Sequence, residues 1–399
     1  HEWGKMIMKK ITLAIILLSG MELHSVYASS LTLSLKLVQR VETNVVLNGA
    51  DISSGADTPV GTVLYQGYLK NNQGDHKNFD FVITNTVGEG SYYFDTKITY
   101  STSNLKLINA AEKIYATNIP GVGIQYISHE VNPVLSGDVI NTNQFGPFYI
   151  GSTFPSGFNT SWNEYNVKFK LIKVGDISPG FLDGNSLGRI TLTQYIMPSS
   201  KGEASVSIDN GQEDMAWFTF SGGINITVPT CTTPRSYDVQ LGKYDVSSID
   251  RKGYSDWVDS SIVLTGCPTF FGNPGNNENI WSSDWAQQQA SVSYIAPNVA
   301  NVIGVTLNGV QGNANVNNGE INIDKSVPNS ATEVLIQIAR GTPASNSPLI
   351  LGQEFNENLP QDGRSVVKIP LVARIKKAND NPSTPGVVYS QATYIINYK

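Results

Sequence analysis

Apolar residues fall at every second position in segment after segment of this 399-residue chain. Leu31, Leu33, Leu35 and Leu37 share one face of an extended backbone, and similar alternating segments are Phe79 to Ile83, Tyr92 to Phe94 and Val167 to Ile172. Successive side chains of a strand point to opposite sides, so this period builds half-buried strands and cannot keep one face of a helix apolar. No long window places apolar residues at helical spacing. The pairs Asn48-Gly49, Asp183-Gly184, Asn210-Gly211 and Asn318-Gly319 punctuate the segments as turns. The expected fold class is all-β. Single cores rarely grow past about 250 residues, so this length predicts two β-sandwich domains.

The beginning of the chain reads as an export signal. Met8, Lys9 and Lys10 precede an apolar run from Ile11 to Leu18, and Val26-Tyr27-Ala28 supplies the small residues read at a cleavage site. Residues 1–28 are therefore expected to be upstream residues and a signal peptide, the run being shorter than the roughly 20 residues that span a bilayer. With 15% charged residues and a net charge of -6, the chain lacks the excess of clustered Lys and Arg that nucleic acid would require.

The two cysteines are Cys231 and Cys267, and in an exported protein an isolated pair predicts a disulfide. They also mark a boundary. Ile224 to Val228 reads as a last strand, which Pro229 and Thr230 then break. The expected division is a first domain at 29–228, a linker at 229–230 and a second domain at 231–399.

The second domain carries a resemblance. Val239 to Val246 after Cys231, Ile262 to Pro268 around Cys267, the runs Val334 to Ile338 and Ile369 to Ile375, and the end Pro385-Gly386-Val387-Val388 with Ala392, Tyr394, Ile396 and Tyr398 alternating together resemble the pilins of chaperone-usher fimbriae in content and order. The resemblance implies an incomplete immunoglobulin-like sandwich lacking its last strand. Gly386, Val388, Ala392, Tyr394, Ile396 and Tyr398 would line a groove filled first by a periplasmic chaperone, at an outer-membrane usher, and then by a strand donated by the adjacent pilus subunit. The alternating stripe alone would also suit the terminal strand of a complete sandwich; the flanking motifs favour the incomplete one.

Roughly 200 residues stand in front of this domain, where an ordinary pilin has only a donor extension. That arrangement resembles the tip adhesins of chaperone-usher fimbriae, and implies attachment to a host cell-surface glycan or glycoprotein from the fimbrial tip. Leu31 to Leu37 would suit a donor strand, but is expected to be a first core strand. Asn166 to Lys173 and Leu187 to Leu192 resemble the paired late strands of an elongated, lectin-like immunoglobulin-type sandwich. The stretch from Tyr149 to Phe158 loosely resembles ligand-side loops of N-acetylglucosamine-binding tip lectins and their uroepithelial-cell-adhesin relatives.

A sugar site needs a flat aromatic face and short polar side chains. Ser152, Thr153, Phe158, Asn159, Thr160, Trp162, Asn163 and Tyr165 supply both, and are the candidate glycan-binding residues. Trp217, between Ala216 and Phe218, is expected to pack in the core. No catalytic residues, cofactor or metal ligands are expected: no nucleophile elbow, phosphate loop or paired-histidine motif occurs, and His76 and His129 are far apart. The competing functional readings are a tip or adaptor subunit that binds a protein receptor, and a secreted β-sandwich glycoside hydrolase.

Overall fold

The computed structural model describes residues 28–72, 77–128, 132–151, 164–284 and 288–399, the side chains of Glu164 and Tyr165 excepted. The signal segment up to Tyr27, the candidate residues from Ser152 to Asn163, and His76 and His129 lie outside the described residues. The first unit contains β1 (Ser30–Leu37), β2 (Val41–Ser53), β3 (Val63–Asn72), β4 (Phe79–Val87), β5 (Ser91–Thr102), β6 (Leu107–Asn109), β7 (Ile114–Ala116), β8 (Val122–Ile127), β9 (Val139–Tyr149), β10 (Glu164–Lys173), β11 (Gly180–Asp183), β12 (Ile190–Gly202), β13 (Ser205–Ile208) and β14 (Gln212–Thr227). After it come α1 (Val246–Lys252), β15 (Val258–Asp259), β16 (Ile262–Leu264), β17 (Glu278–Asp284), β18 (Ser291–Tyr294), β19 (Val302–Gly309), β20 (Asn313–Asn315), β21 (Glu320–Ile321), β22 (Val334–Thr342), β23 (Ser345–Pro348), β24 (Phe355–Asn358), β25 (Val367–Ile369), β26 (Leu371–Lys377) and β27 (Ala392–Tyr398). The protein is all-β, and no helix among the described residues is long and apolar enough to cross a membrane.

In the first unit a sheet ordered β11-β14-β12-β5-β9, with β2 also paired to β14, lies against a sheet containing β3-β10-β8-β7-β6. Their facing side chains interlock through aromatic rings: Phe169 meets Phe220 edge-on at 5.3 Å, and Tyr126 stacks on Phe220 at 6.1 Å. A smaller sheet, β13-β1-β4, extends the same core, in which Phe81 touches Phe94 at 5.3 Å. The leucine stripe does what its period predicts: Leu31, Leu33 and Leu35 are fully buried, and β1 is a core strand.

Three sequence expectations need correction. The segments at 164–173 and 190–202 are not paired; β10 pairs with β3 and β8, whereas β12 pairs with β14 and β5 in the opposite sheet. Asn48-Gly49 makes no hairpin but a register shift within β2, opposite the interruption between Gly223 and Ile224. Trp217 is not in the core. Phe218 and Phe220 take the inward face of β14, so period two turns Trp217 outward, where the guanidiniums of Arg40 and Arg189 lie 3.8 and 4.2 Å from its ring centre.

Residues beyond the expected linker at 229–230 also help to build the first unit. Strand β17 pairs in parallel with β3, and β18 pairs with β17, so the seven-stranded sheet runs β18-β17-β3-β10-β8-β7-β6. Trp281 on β17 is fully buried in the first core. A second junction joins the loop after β2 to the end of the chain. Asp57 donates its N–H to the Tyr398 carbonyl at 2.8 Å and accepts the Tyr398 N–H on its carboxylate at 2.8 Å. The buried Lys173 ammonium donates to the Ala56 carbonyl at 2.8 Å and braces this loop. A Cβ on Gly55 would fall 2.1 Å from the Tyr398 carbonyl oxygen, so only glycine permits the approach.

The second unit is a smaller sandwich. One sheet runs β15-β26-β22-β21-β20 with β23 added to β22; the other side is made by β24-β19-β27 and the pair β16-β25. Ile262, Leu264, Ile303, Val305, Ile369 and Leu371 fill the space between them. Cys231 and Cys267 are joined in a disulfide, Cα atoms 4.3 Å apart, which ties the start of the unit to the turn after β16.

Candidate functional site: an open groove in the second unit

The last strand of the chain is an edge. β27 bonds to β19 through seven register pairs from Ile303↔Tyr398 to Gly309↔Ala392, and no strand lies on its other side among the described residues. The alternation fixes which side chains turn inward: Ala392, Tyr394 and Ile396 pack partly buried against the second core and Tyr398 is buried, while Ile395 points out at 60% exposure.

Beside β27 a cavity of about 790 Å³ opens along the unit. Its floor is apolar and comes from both layers: Leu307 of β19, Ile336 and Ile338 of β22, and Leu371, Ala373 and Ile375 of β26. Its far rim is the segment from Arg235 to Tyr244, which forms no strand and makes no backbone ladder with any neighbour. An unfilled apolar slot bordered by an unpaired strand edge leaves buried-type surface and backbone donors facing water, which a further strand would satisfy.

The uncoiled rim is held by hydroxyls. Tyr237 donates to the Ser260 carbonyl at 2.8 Å, and Tyr394 donates to the Pro234 carbonyl. Burial pushes the Tyr237 hydroxyl up to about 12, with the neighbouring Tyr394 and Asp259 adding to the effect; burial also raises Tyr394. Asp259 itself is held down at about 2, chiefly by the hydrogen bond from Lys368 and then by Ser261.

Of the groove residues expected from sequence, Gly386, Val388, Ala392 and Tyr394 line the cavity. Ile396 and Tyr398 do not line it. They continue the inward stripe past its end, where Tyr398 stacks flat on Phe270 with ring centres 6.1 Å apart and its hydroxyl oxygen accepts the Cys231 N–H at 3.2 Å. Gly386 is there for space: a Cβ would fall 2.5 Å from the Ala331 nitrogen, where the chain runs alongside 329–331 through the Ser330↔Val387 bridge. Sequence reading singled out Val239 to Val246 by resemblance but did not assign the stretch from Arg235 to Tyr244 to the groove, because a segment that is not a strand leaves no alternation to find. Of the candidate glycan residues, Tyr165 is placed only as a backbone position on β10 opposite Asn71; the others lie outside the described residues.

Among the described residues the second sandwich is thus open along its final strand, β27. No protein-family model and no curated protein matches the chain. Among solved structures it is similar to the CupB6 tip adhesin of Pseudomonas aeruginosa, at 12% identity and TM-score 0.34, over 92% of this chain and 94% of that one. It is also similar to the receptor-binding domain of the adhesin MrkD1P of Klebsiella pneumoniae, at 15% identity and TM-score 0.29, over 50% of this chain and 98% of that one. A third is the CsuC-CsuE chaperone-tip adhesion subunit complex of Acinetobacter baumannii, at 11% identity and TM-score 0.24, over 91% of this chain and 99% of the matched one. No residue role is carried over from them.

Proposed function

We propose that this chain is the tip adhesin of a chaperone-usher fimbria: the unit at 231–399 is an incomplete pilin that docks it to the fibre, and the unit at 29–228 binds the receptor. The observation that carries the reading is the open groove beside β27. A strand laid into it would find the free edge of β27 on one side and the unladdered rim on the other. Every second side chain would drop onto the floor formed by Ile336, Ile338 and Leu371. Main-chain bonds then supply affinity and the alternating pockets supply selectivity, the logic of strand addition. During export the strand comes from a periplasmic chaperone, at the outer-membrane usher it is exchanged, and in the fibre the adjacent subunit supplies it. The protein would reach the cell surface at the fimbrial tip.

The receptor assigned to the first unit is a host glycan or glycoprotein, met by Ser152 to Tyr165; their aromatic and short polar side chains are the support for that assignment. The test is periplasmic expression of the full chain with and without a chaperone of this pathway. A soluble one-to-one complex with the chaperone, and aggregation or degradation without it, is the expected result; a stable monomer accumulating alone contradicts the reading. Glycan-array binding by that complex separates a sugar receptor from a protein one.

A further inference from the structure

We infer that β17 and residues 288–291, carried by the second unit, are an internal complement without which the first unit does not hold its sandwich closed. This inference is independent of the functional reading.

The segment leaves and re-enters the second unit through a narrow neck. Asn273 and Val299 exchange both backbone hydrogen bonds, at 3.1 and 2.8 Å, and no described residue between them belongs to the second core. Its core side chains, Trp281 and Ala290, are buried in the first core. Strand β17 lies along β3 in seven parallel register pairs, from Glu278↔Gln66 to Asp284↔Asn72. It then turns to the other sheet: Asn44 on β2 donates to the Gln288 carbonyl at 2.8 Å, and Ala290 donates back to the Asn44 carbonyl at 2.9 Å. The segment thus bonds to an exposed edge of each layer, β3 in one and β2 in the other.

Trp281 stands between them. It is fully buried, its ring centre lies 6.3 Å from that of Phe169 on β10 of the same sheet, and its indole N–H donates to the Val46 carbonyl at 3.1 Å. Its neighbours on the inward face are polar and paired to the first unit as well. Asn279 donates to the Gln66 carbonyl at 3.1 Å, and Asn71 donates to the Ser283 hydroxyl at 2.6 Å. With the segment absent, β3 would face water along a bare edge, β2 would lose its bonds at Asn44 and Val46, and a tryptophan-sized gap would open into the aromatic core. Residues 29–228 are then not a self-sufficient domain, and the 229–230 connection is the lesser of the ties between the units.

The experiment is hydrogen exchange resolved by segment in the full chain, comparing the natural sequence with Trp281→Ala and Trp281→Phe. Trp281→Ala is expected to speed exchange in β2 and β3 by about tenfold or more, with β22 and β26 unchanged, because local opening tracks local packing. Trp281→Phe keeps most of the packing and loses the indole N–H; it should give the same pattern at smaller amplitude, and serves if the alanine variant does not accumulate. Unchanged exchange in β2 and β3, or equal acceleration in both units, overturns the inference.

Discussion

Tyr237 and Tyr394 lie ring to ring at the rim of the groove, centres 6.2 Å apart, and each hydroxyl donates to a backbone carbonyl that holds the uncoiled segment in place. The pair fixes how this rim should respond to alkali. The Tyr237 hydroxyl titrates at about 12 in the folded chain against 10.0 in the unfolded one. Between those values the folded state keeps a proton the unfolded state has lost, so stability falls as pH rises. The contribution is complete below pH 10 and gone above about 12. Hydrogen exchange of residues 235–244 should therefore rise through that window. Tyr237→Phe should lose about 1 kcal/mol at neutral pH through the missing hydrogen bond and show a shallower alkaline loss.

The disulfide closes a loop between residues 36 apart in sequence. On the chain-entropy model, replacing both Cys231 and Cys267 with alanine should cost roughly 4 kcal/mol of stability in the second unit. Denaturant unfolding of the natural and double-alanine chains measures it; a difference below about 1 kcal/mol would mean that the unfolded state is little constrained by the bridge.

Period two made most of this architecture legible from sequence. The buried stripe Leu31, Leu33 and Leu35 and the inward stripe Ala392, Tyr394 and Ile396 are strands whose apolar faces meet a core, so their pattern and their burial coincide. Strand β17 escaped notice for the opposite reason. Its inward residues are Asn279, Trp281 and Ser283, polar groups paired to Gln66 and Asn71 around one tryptophan, so burial there leaves no apolar stripe. Trp217 failed differently: an aromatic inside an aromatic run suggests a core, yet Phe218 and Phe220 already occupy the inward face, and Trp217 finds its partners in Arg40, Arg189 and the Asp214 carboxylate that accepts its N–H at 3.1 Å. The pairing of strands across the first unit is a long-range property that local pattern does not encode.

Ala392 sits at the near rim, half-buried over the cavity. Ala392→Arg puts a long charged side chain into the apolar groove and should block an incoming strand. Binding of an alternating apolar strand peptide, followed by calorimetry, should weaken by at least about 1.4 kcal/mol, or tenfold. Unchanged affinity would place the incoming strand elsewhere.

Trp162 is the aromatic anchor of the proposed receptor site. Trp162→Ala should weaken glycan or cell binding by about 1–3 kcal/mol, as removal of a desolvated aromatic anchor does, with thermal unfolding nearly unchanged. Equal binding by the variant would remove Trp162 from the site, and a large stability loss would assign it a packing role instead.

The most direct measurement of the account is segment-resolved hydrogen exchange of the full chain before and after adding a peptide strand with apolar residues at alternate positions. Protection should appear together along both rims, β27 from Ala392 to Tyr394 and the segment from Arg235 to Tyr244, while β10 and β14 in the first unit stay as they were. Binding that protects neither rim, or a β27 as protected without the peptide as with it, would contradict a second unit built to receive a strand.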